Sequence, residues 1–331
     1  MARNVKISTI GGPNFYLPVD SKLPYTDMWE KVKTHLTGQI EQALPDRPDL
    51  IVLTEMCDLP REFPYSEMKD FIKGYVGSRG NDNIRFFSRV AAENRCNISF
   101  STVTRGIDDY YMNTTFLLNR DGSIAGQYDK YYVTSAENTW NIKYGNKTPL
   151  ISMDFGKVAC AICFDLNFDD LRDLYKELKP ELIIFSSMFH GGLMQQVWAN
   201  TCRAFFVGAI AHQRPSSILS PLGETLAYST DYTNYVTATI NLDYAFVHWR
   251  DRKQLFELKK HYGAGVTLYD PCEIGYFMLT NELPDKTVEE MIREFNIITY
   301  DEYIIESRAL RNTPGNYGES APIPPMPALP Q

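Results

Sequence analysis

The chain reads as an α/β protein in layers, on three observations. Short apolar runs rich in valine and isoleucine alternate with amphipathic helical stretches along most of the 331 residues. Two of those runs, DLIVL (49–53) and ELIIF (181–185), are continuous rather than alternating, as suits strands covered on both faces. A hairpin signal at Asp121-Gly122 adds antiparallel strands beside them.

In chain order the strand candidates are Val5–Ile10, Leu50–Leu53, Asn97–Thr104, Asn113–Asn119, Ser123–Tyr128, Val158–Cys163, Leu182–Ser186, Phe206–His212, Ser217–Ser220 and Tyr235–Leu242. Between the first two, Thr26–Leu44 repeats Trp29, Val32, Leu36, Ile40 and Ala43 at three- and four-residue steps, with Thr26 as the expected N-cap. Asp82–Arg95 shows the same period through Ile84, Phe87 and Ala91. After about Asp270 the character changes: Thr287 and Glu290 fit a capping box opening a helix with Met291, Ile292 and Phe295 on one face. The ending APIPPMPALPQ is proline-rich, extended or disordered; it suits an arm on a partner subunit better than an SH3-type ligand. A main domain over 1–270 and a C-terminal extension over 271–331, packing on a partner subunit, are therefore expected.

Composition narrows the function. A formal charge of −8 and a pI near 5.3 argue against nucleic acid, whose phosphates require clustered lysine and arginine. No apolar run approaches the ~20 residues of a membrane span, and the N-terminus lacks the pattern of a signal peptide. Six scattered cysteines read as thiols in a reducing compartment, so a cytoplasmic location is expected.

Cys163 ends KVACAIC and opens FDLNFDD, where a buried strand should turn into a helix, a place suited to exposing a nucleophile. A free thiol has a pKa near ~8.5 and needs a base. None of the five histidines announces itself by motif. Glu55 follows DLIVL with only Thr54 between, at the carboxyl end of a buried strand, where open α/β sheets place ligand sites. The competing reading of Glu55 is a surface glutamate at a loop start. Lys130 ends SIAGQYDK beside Tyr131 and Tyr132; it is either a core-edge cation with a buried stem or the cation facing an oxyanion, with Glu137 to orient it.

Taken together, PDLIVLTE ending at Glu55, GQYDKYYV around Lys130 and GKVACAICFDLNFDDL around Cys163 resemble the nitrilase superfamily, the carbon–nitrogen hydrolases, in order and spacing. ELIIFSSMF, the segment from Trp198 to Arg203 and SSILSPLGETLA extend the resemblance over about residues 5–245. The resemblance implies a four-layer α-β-β-α sandwich of two related halves, without cofactor or metal, acting on a small-molecule substrate. It implies a homodimer or higher homo-oligomer, pairing through the helices after the nucleophile and around Trp198–Ala204. Carried over residue by residue, Glu55 is the general base, Lys130 the oxyanion cation, Cys163 the nucleophile, Glu137 the second glutamate and the Phe164 N–H an oxyanion donor. Tyr131, Phe164, Phe189 and His190 are the expected substrate contacts, and Trp140 and Tyr132 belong to the same aromatic grouping. Hydrolysis of an amide or carbamoyl amine through a thioester is favoured over nitrile hydrolysis. Two departures bear on substrate: Asp129 stands where the family commonly has arginine, and WANTCRAFF keeps Arg203 without the usual glutamate–asparagine pair.

Rival patterns are weaker. Cys160 and Cys163 form a C-x-x-C, yet Cys160 lies inside the strand and a period of two sends the pair to opposite faces. Asp165-x-Asn167-x-Asp169 imitates a calcium loop, but Asp170 and Lys176 occupy the positions that need glycine and glutamate. A Cys-His hydrolase using His190, or a nitrilase-fold binding protein without turnover, are the remaining alternatives.

Overall fold

In the computed structural model, residues 2–18, 21–60, 66–211, 215–230, 232–271 and 275–320 are described. The proline-rich tail, His212 and Cys272 lie outside them. The chain divides into two compact units, Asn4–Ile240 and a second formed by Asn241 onward with the first three residues.

The larger unit runs β1 (Asn4–Ile10), α1 (Tyr25–Ala43), β2 (Leu50–Val52), α2 (Met68–Arg79), α3 (Asp82–Asn94), β3 (Asn97–Arg105), β4 (Tyr111–Leu118), β5 (Ile124–Asp129), α4 (Ser135–Thr139), β6 (Ile151–Met153), β7 (Gly156–Ile162), α5 (Asp169–Leu178), β8 (Leu182–Ser187), α6 (Leu193–Cys202), β9 (Phe205–Ile210), β10 (Ser217–Leu219), β11 (Thr225–Tyr228) and β12 (Tyr235–Asn241). These strands make two six-stranded sheets, ordered β12-β1-β2-β3-β4-β5 and β11-β10-β9-β8-β7-β6. In the first, β1, β2 and β3 are parallel and β4 and β5 return antiparallel. The second repeats that sequence: β7, β8 and β9 are parallel, then β10 and β11 return antiparallel. The two related halves are thus visible in the topology.

The period of two assigns each strand's side chains to two layers. Ile51, Ile98 and Phe100 face α1, α2 and α3, whose Leu36, Ile72 and Phe87 complete one helix-covered core. Ala159, Ala161, Ile183 and Phe185 pack with Leu171, Tyr175 and Trp198 of α5 and α6 in another. The alternate positions Leu50, Val52, Val158, Ile162, Leu182 and Ile184 are equally buried, between the sheets. Hydrogen bonds also cross there: Thr9 Oγ1 donates to Gly208 O at 3.0 Å and Ser186 Oγ to Leu53 O at 2.9 Å. The result is the layered α-β-β-α sandwich.

All ten expected strands are present within a residue or two at their ends, and β6 and β11 are additional. Cys163 falls just past β7, in a 3-10 turn over Cys163–Asn167. Thr26 is not an N-cap: α1 starts at Tyr25 after Pro24, whose fixed φ suits a helix entry. The five described cysteines are free thiols. Among the described residues no helix is long and apolar enough to cross a membrane.

The second unit contains β13 (Tyr244–His248), α7 (Arg252–Tyr262), β14 (Val266–Tyr269), β15 (Tyr276–Asn281), α8 (Val288–Glu294) and α9 (Tyr300–Arg311). β15 pairs antiparallel with both β13 and β14, so one small sheet spans the change of character near Asp270. The compact units therefore divide at Ile240, ahead of that change. The Thr287 capping box is present, with Glu290 N–H donating to Thr287 Oγ1 at 3.2 Å, and Met291 and Ile292 are buried in the unit's own core.

Behind the turn after β2, Asp58 is fully buried and pairs with Arg79 of α2, while Asn83 Nδ2 and Thr102 Oγ1 donate to its Oδ2, each at 2.8 Å. Removing one partner of such a pair strands the other charge, at a cost of about 3–5 kcal/mol. Arg79→Met is expected to lose that much stability in urea unfolding, with near-normal stability counting against a structural role for the pair.

Candidate active site

Parallel strands present their carboxyl ends on one side, and there the turns after β2, β5, β7 and β8 converge. Glu55, Lys130 and Glu137 are brought together in the interior, each at most 4% exposed. The Lys130 ammonium donates to Glu55 Oε1 at 2.9 Å and to Glu137 Oε1 and Oε2 at 2.9 and 2.8 Å. Burial alone would push the lysine pKa down; the two carboxylates more than reverse this and hold it well above the ordinary lysine value. The group is a permanent cation.

Local sequence explains each placement. Glu55 follows the three buried residues of β2, and Met56 behind it takes a left-handed φ of 45° to turn the chain. Lys130 follows β5, and its carbonyl accepts from Gly145 N–H at 2.7 Å; a Cβ at Gly145 would stand 2.1 Å from Asp129 O, so only glycine fits. Glu137 is the third residue of α4 and closes a capping box with Thr134, whose N–H donates to Oε2 at 2.8 Å. The pattern Thr134-x-x-Glu137 signals that box in the sequence.

Cys163 holds a left-handed φ of 47°, a strained conformation for a side chain with a Cβ. Asp165, fully buried, secures the turn: Oδ2 accepts from Ile162 N–H and Tyr128 Oη, both at 2.8 Å, and Oδ1 from Tyr132 N–H at 2.7 Å. One carboxylate thus ties the turn after β7 to the segment after Lys130. The imitation of a calcium loop dissolves here, since Asp165 is spent on these donors and Asp169 and Asp170 sit in the first turn of α5. Cys163 is half-buried. Burial, and then Glu55, push its thiol up to about 12, against Lys130, the Met188 N–H and the Ser187 hydroxyl, which pull it down. At neutral pH the thiol is protonated and faces a carboxylate.

An ionised carboxylate offers about four lone-pair sites. On Glu137 all four are taken, by Lys130 twice, Asn113 and Thr134 N–H. On Glu55, Oε1 accepts from Lys130 and from Asn113 Nδ2 at 2.8 Å, while Oε2 accepts only from Met188 N–H at 3.1 Å. Among the described residues, one lone pair of Glu55 Oε2 is left without a donor.

The remaining expected residues lie in the segments adjoining these side chains in sequence. Phe164 and Phe189 are each 37% exposed, next in sequence to Cys163 and to Met188. Tyr131 is half-buried, edge-on to Tyr132, which stacks on Phe168 at 3.6 Å. Trp140 packs at the margin of the helix-covered core around α1 to α3. His190 accepts the Gly192 N–H through Nδ1 at 3.2 Å and lines a cleft with Leu193, Gln196, Leu219 and Tyr228 that does not include Cys163. Asp129 accepts from Thr114 Oγ1 at 2.7 Å, so it is held by β4. Asn113 was not singled out by sequence; a polar residue within the buried strand YMNTTFLL is the signal it leaves. Asp165 stands out in the sequence only within the calcium-loop imitation, which carries no sign of its tie to Tyr132.

The profile of the carbon–nitrogen hydrolases matches residues 19–246. The chain belongs to the carbon–nitrogen hydrolase family. It is 22% identical over 246 residues to the chloroplastic omega-amidase of Arabidopsis thaliana, covering 66% of this chain and 64% of that protein, just under two thirds of the relative. To the omega-amidase NIT3 of Saccharomyces cerevisiae it is 23% identical over 164 residues, 46% of this chain and 55% of the relative. The carbon–nitrogen hydrolase of Helicobacter pylori G27 shares the fold with a TM-score of 0.61 at 17% identity, over 78% of this chain and 93% of the other. The amidase from Nesterenkonia sp. AN1 does so at 0.58 and 11% identity, over 72% and 90%.

Asp165 supplies a pH test. Burial pushes its carboxyl up to about 7 despite three donors and Lys130, against an unfolded value near ~3.9. Between these values the folded state holds a proton that the unfolded state has released, so this group's contribution to stability is full below pH ~4 and is lost as pH rises through 7. In urea unfolding, the stability difference between wild type and Asp165→Asn is expected to shift against wild type across that window; a pH-independent difference would contradict the assignment.

Proposed function

We propose that the protein hydrolyses a non-peptide carbon–nitrogen bond, in an amide or carbamoyl amine, through a thioester on Cys163. The observation that carries this reading is the buried Glu55–Lys130–Glu137 cluster, whose Glu55 and Lys130 charges both act on the Cys163 thiol while Glu55 Oε2 accepts from Met188 N–H. Family membership supports it, as do relatives named as amidases.

The steps follow from that arrangement. Glu55 Oε2 takes the thiol proton as Sγ attacks the carbonyl carbon, and the carbonyl oxygen becomes an oxyanion stabilised by Lys130. Glu55 passes the proton to the leaving nitrogen, the C–N bond breaks, and ammonia or an amine departs from the thioester. A water molecule gives its proton to Glu55 and attacks the thioester carbon; collapse returns the proton to sulfur and frees the acid. Lys130, held as ammonium, serves as a charge and not as a proton donor. Glu137 positions that charge. Phe164, Phe189 and Tyr131 give the mouth an aromatic lining suited to an apolar acyl group.

We also propose self-association through α5 and α6, where Leu174 and Leu193 are exposed. Light scattering at micromolar concentration is expected to give a dimer or larger; a monomer mass would count against it.

Ammonia or amine release is to be measured over propionamide, benzamide, succinamate, N-carbamoyl-β-alanine and benzonitrile, with Cys163→Ala as blank. Cys163→Ser and Glu55→Gln are expected to lose at least ~10³-fold in rate while remaining folded. Near-normal turnover by either would sink the mechanism, and release from the nitrile alone would move the substrate class. Because Glu55 raises the thiol's pKa, Glu55→Gln should nevertheless be alkylated by iodoacetamide at Cys163 faster than wild type at pH 7, as followed by mass spectrometry.

A further inference from the structure

Asn113 lies on β4 opposite Val103 of β3 and is fully buried. Its amide nitrogen has two hydrogens, and each meets a different carboxylate: Glu55 Oε1 at 2.8 Å and Glu137 Oε1 at 2.9 Å. The same two oxygens receive the Lys130 ammonium, both at 2.9 Å. Lysine, glutamate, amide and glutamate form a closed ring in which donors alternate with acceptors. The amide cannot be turned over, since its oxygen would then face two carboxylate oxygens. Its orientation is also fixed from behind. Ser101 Oγ accepts the Met56 N–H at 3.2 Å, which leaves the serine's own proton to donate to Asn113 Oδ1 at 3.1 Å. Met56 is the strained residue directly after Glu55. One chain of hydrogen bonds from β3 and β4 therefore grips both the backbone behind Glu55 and its carboxylate.

We propose that Asn113 is a positioning residue for the reaction: it fixes Glu55 and Glu137 around Lys130, adds a neutral donor to Glu55 Oε1 beside the ammonium and directs proton exchange with Cys163 to Oε2. This rests on the reading of Glu55 as the base. The residue type matters because of charge. Two carboxylates and one ammonium leave a formal charge of −1, and a second cation at position 113 would cancel the negative charge that the thiol proton moves toward. An amide supplies two hydrogen bonds and no charge. An apolar residue would leave both carboxylates short of a donor, and an acid would add a third negative group; either change makes the cluster hold its proton more tightly.

The test uses the full-length protein and iodoacetamide as probe, with the rate of Cys163 alkylation followed by mass spectrometry from pH 5 to 10 and melting temperature recorded beside it. Asn113→Asp, which keeps size and the Ser101 contact, is expected to move the rate profile up by about one pH unit or more, which reads as a rate about tenfold or more lower at every pH below the midpoint. Asn113→Leu should move it the same way by less, and should lower the rate of hydrolysis of whichever amide the wild type accepts about 10- to 100-fold with little change in KM. A residue needed only for packing would lower the melting temperature and leave the profile in place. Profiles of both variants that superimpose on wild type would overturn the inference while the catalytic reading stands. Full hydrolysis by Cys163→Ala would overturn both.

Discussion

The burial of the Lys130 ammonium between two carboxylates is the constraint on which the rest of the larger unit depends. Taking one ion of this size out of water costs several kcal/mol, and three together are tolerable only where Coulomb attraction and hydrogen bonds are nearly complete. Three of the cluster's side chains come from separate segments, after β2, after β5 and on α4, with Glu55 75 residues from Lys130, and Asn113 of β4 completes the bonding. Each is therefore fixed by a feature of its own: the capping box for Glu137, the glycine contact for Lys130, the Ser101 chain for Glu55 and Asn113. Polar groups elsewhere between the sheets, such as Ser186 and Thr9, are satisfied across the gap in the same manner.

Against this rigid centre Cys163 is held in tension. The left-handed turns at Met56 and Cys163 fall in the segments that follow β2, the middle strand of one parallel set, and β7, the outer strand of the other. Such a conformation costs on the order of 1 kcal/mol or more and persists only where neighbours over-determine it. For Cys163 the neighbour is Asp165, which is itself buried and raised in pKa, so the strain at the thiol is offset by a carboxylate that is expensive to bury.

Much of this was legible in the sequence. Continuous apolar runs announced β2 and β8, because parallel strands covered on both faces have no polar side to alternate. Glu55, Lys130 and Cys163 stood out because each follows closely on the end of a strand. Their assembly was legible only through the resemblance, since nothing local in PDLIVLTE specifies a lysine seventy-five residues away at 2.9 Å. Asn113 was not legible at all: in YMNTTFLL it is one polar residue among three, and its meaning comes from the two carboxylates that other segments deliver. The short strands β6 and β11 were missed because three or four residues carry too little pattern, and their edge positions expose them to little of the core. Thr26 misled because a good capping residue lay one position inside a helix that Pro24 already starts.

In the reaction we propose, the arrangement also gives a reason for one glutamate to serve every step. Glu137 has no lone pair to give, Asp165 is committed to three donors, and Lys130 is locked as a cation. The proposed proton traffic is thus confined to Glu55 Oε2. When that atom takes the thiol proton, the negative charge passes to sulfur and then to the substrate oxygen beside Lys130, and on expulsion of the amine it returns to the carboxylate. The formal charge of the cluster stays at −1 through every step. In an interior that solvates charge poorly, a reaction that relocates one negative charge by a few ångströms, between groups whose donors are already in place, avoids both the creation of a new buried ion and the reorganisation of its surroundings.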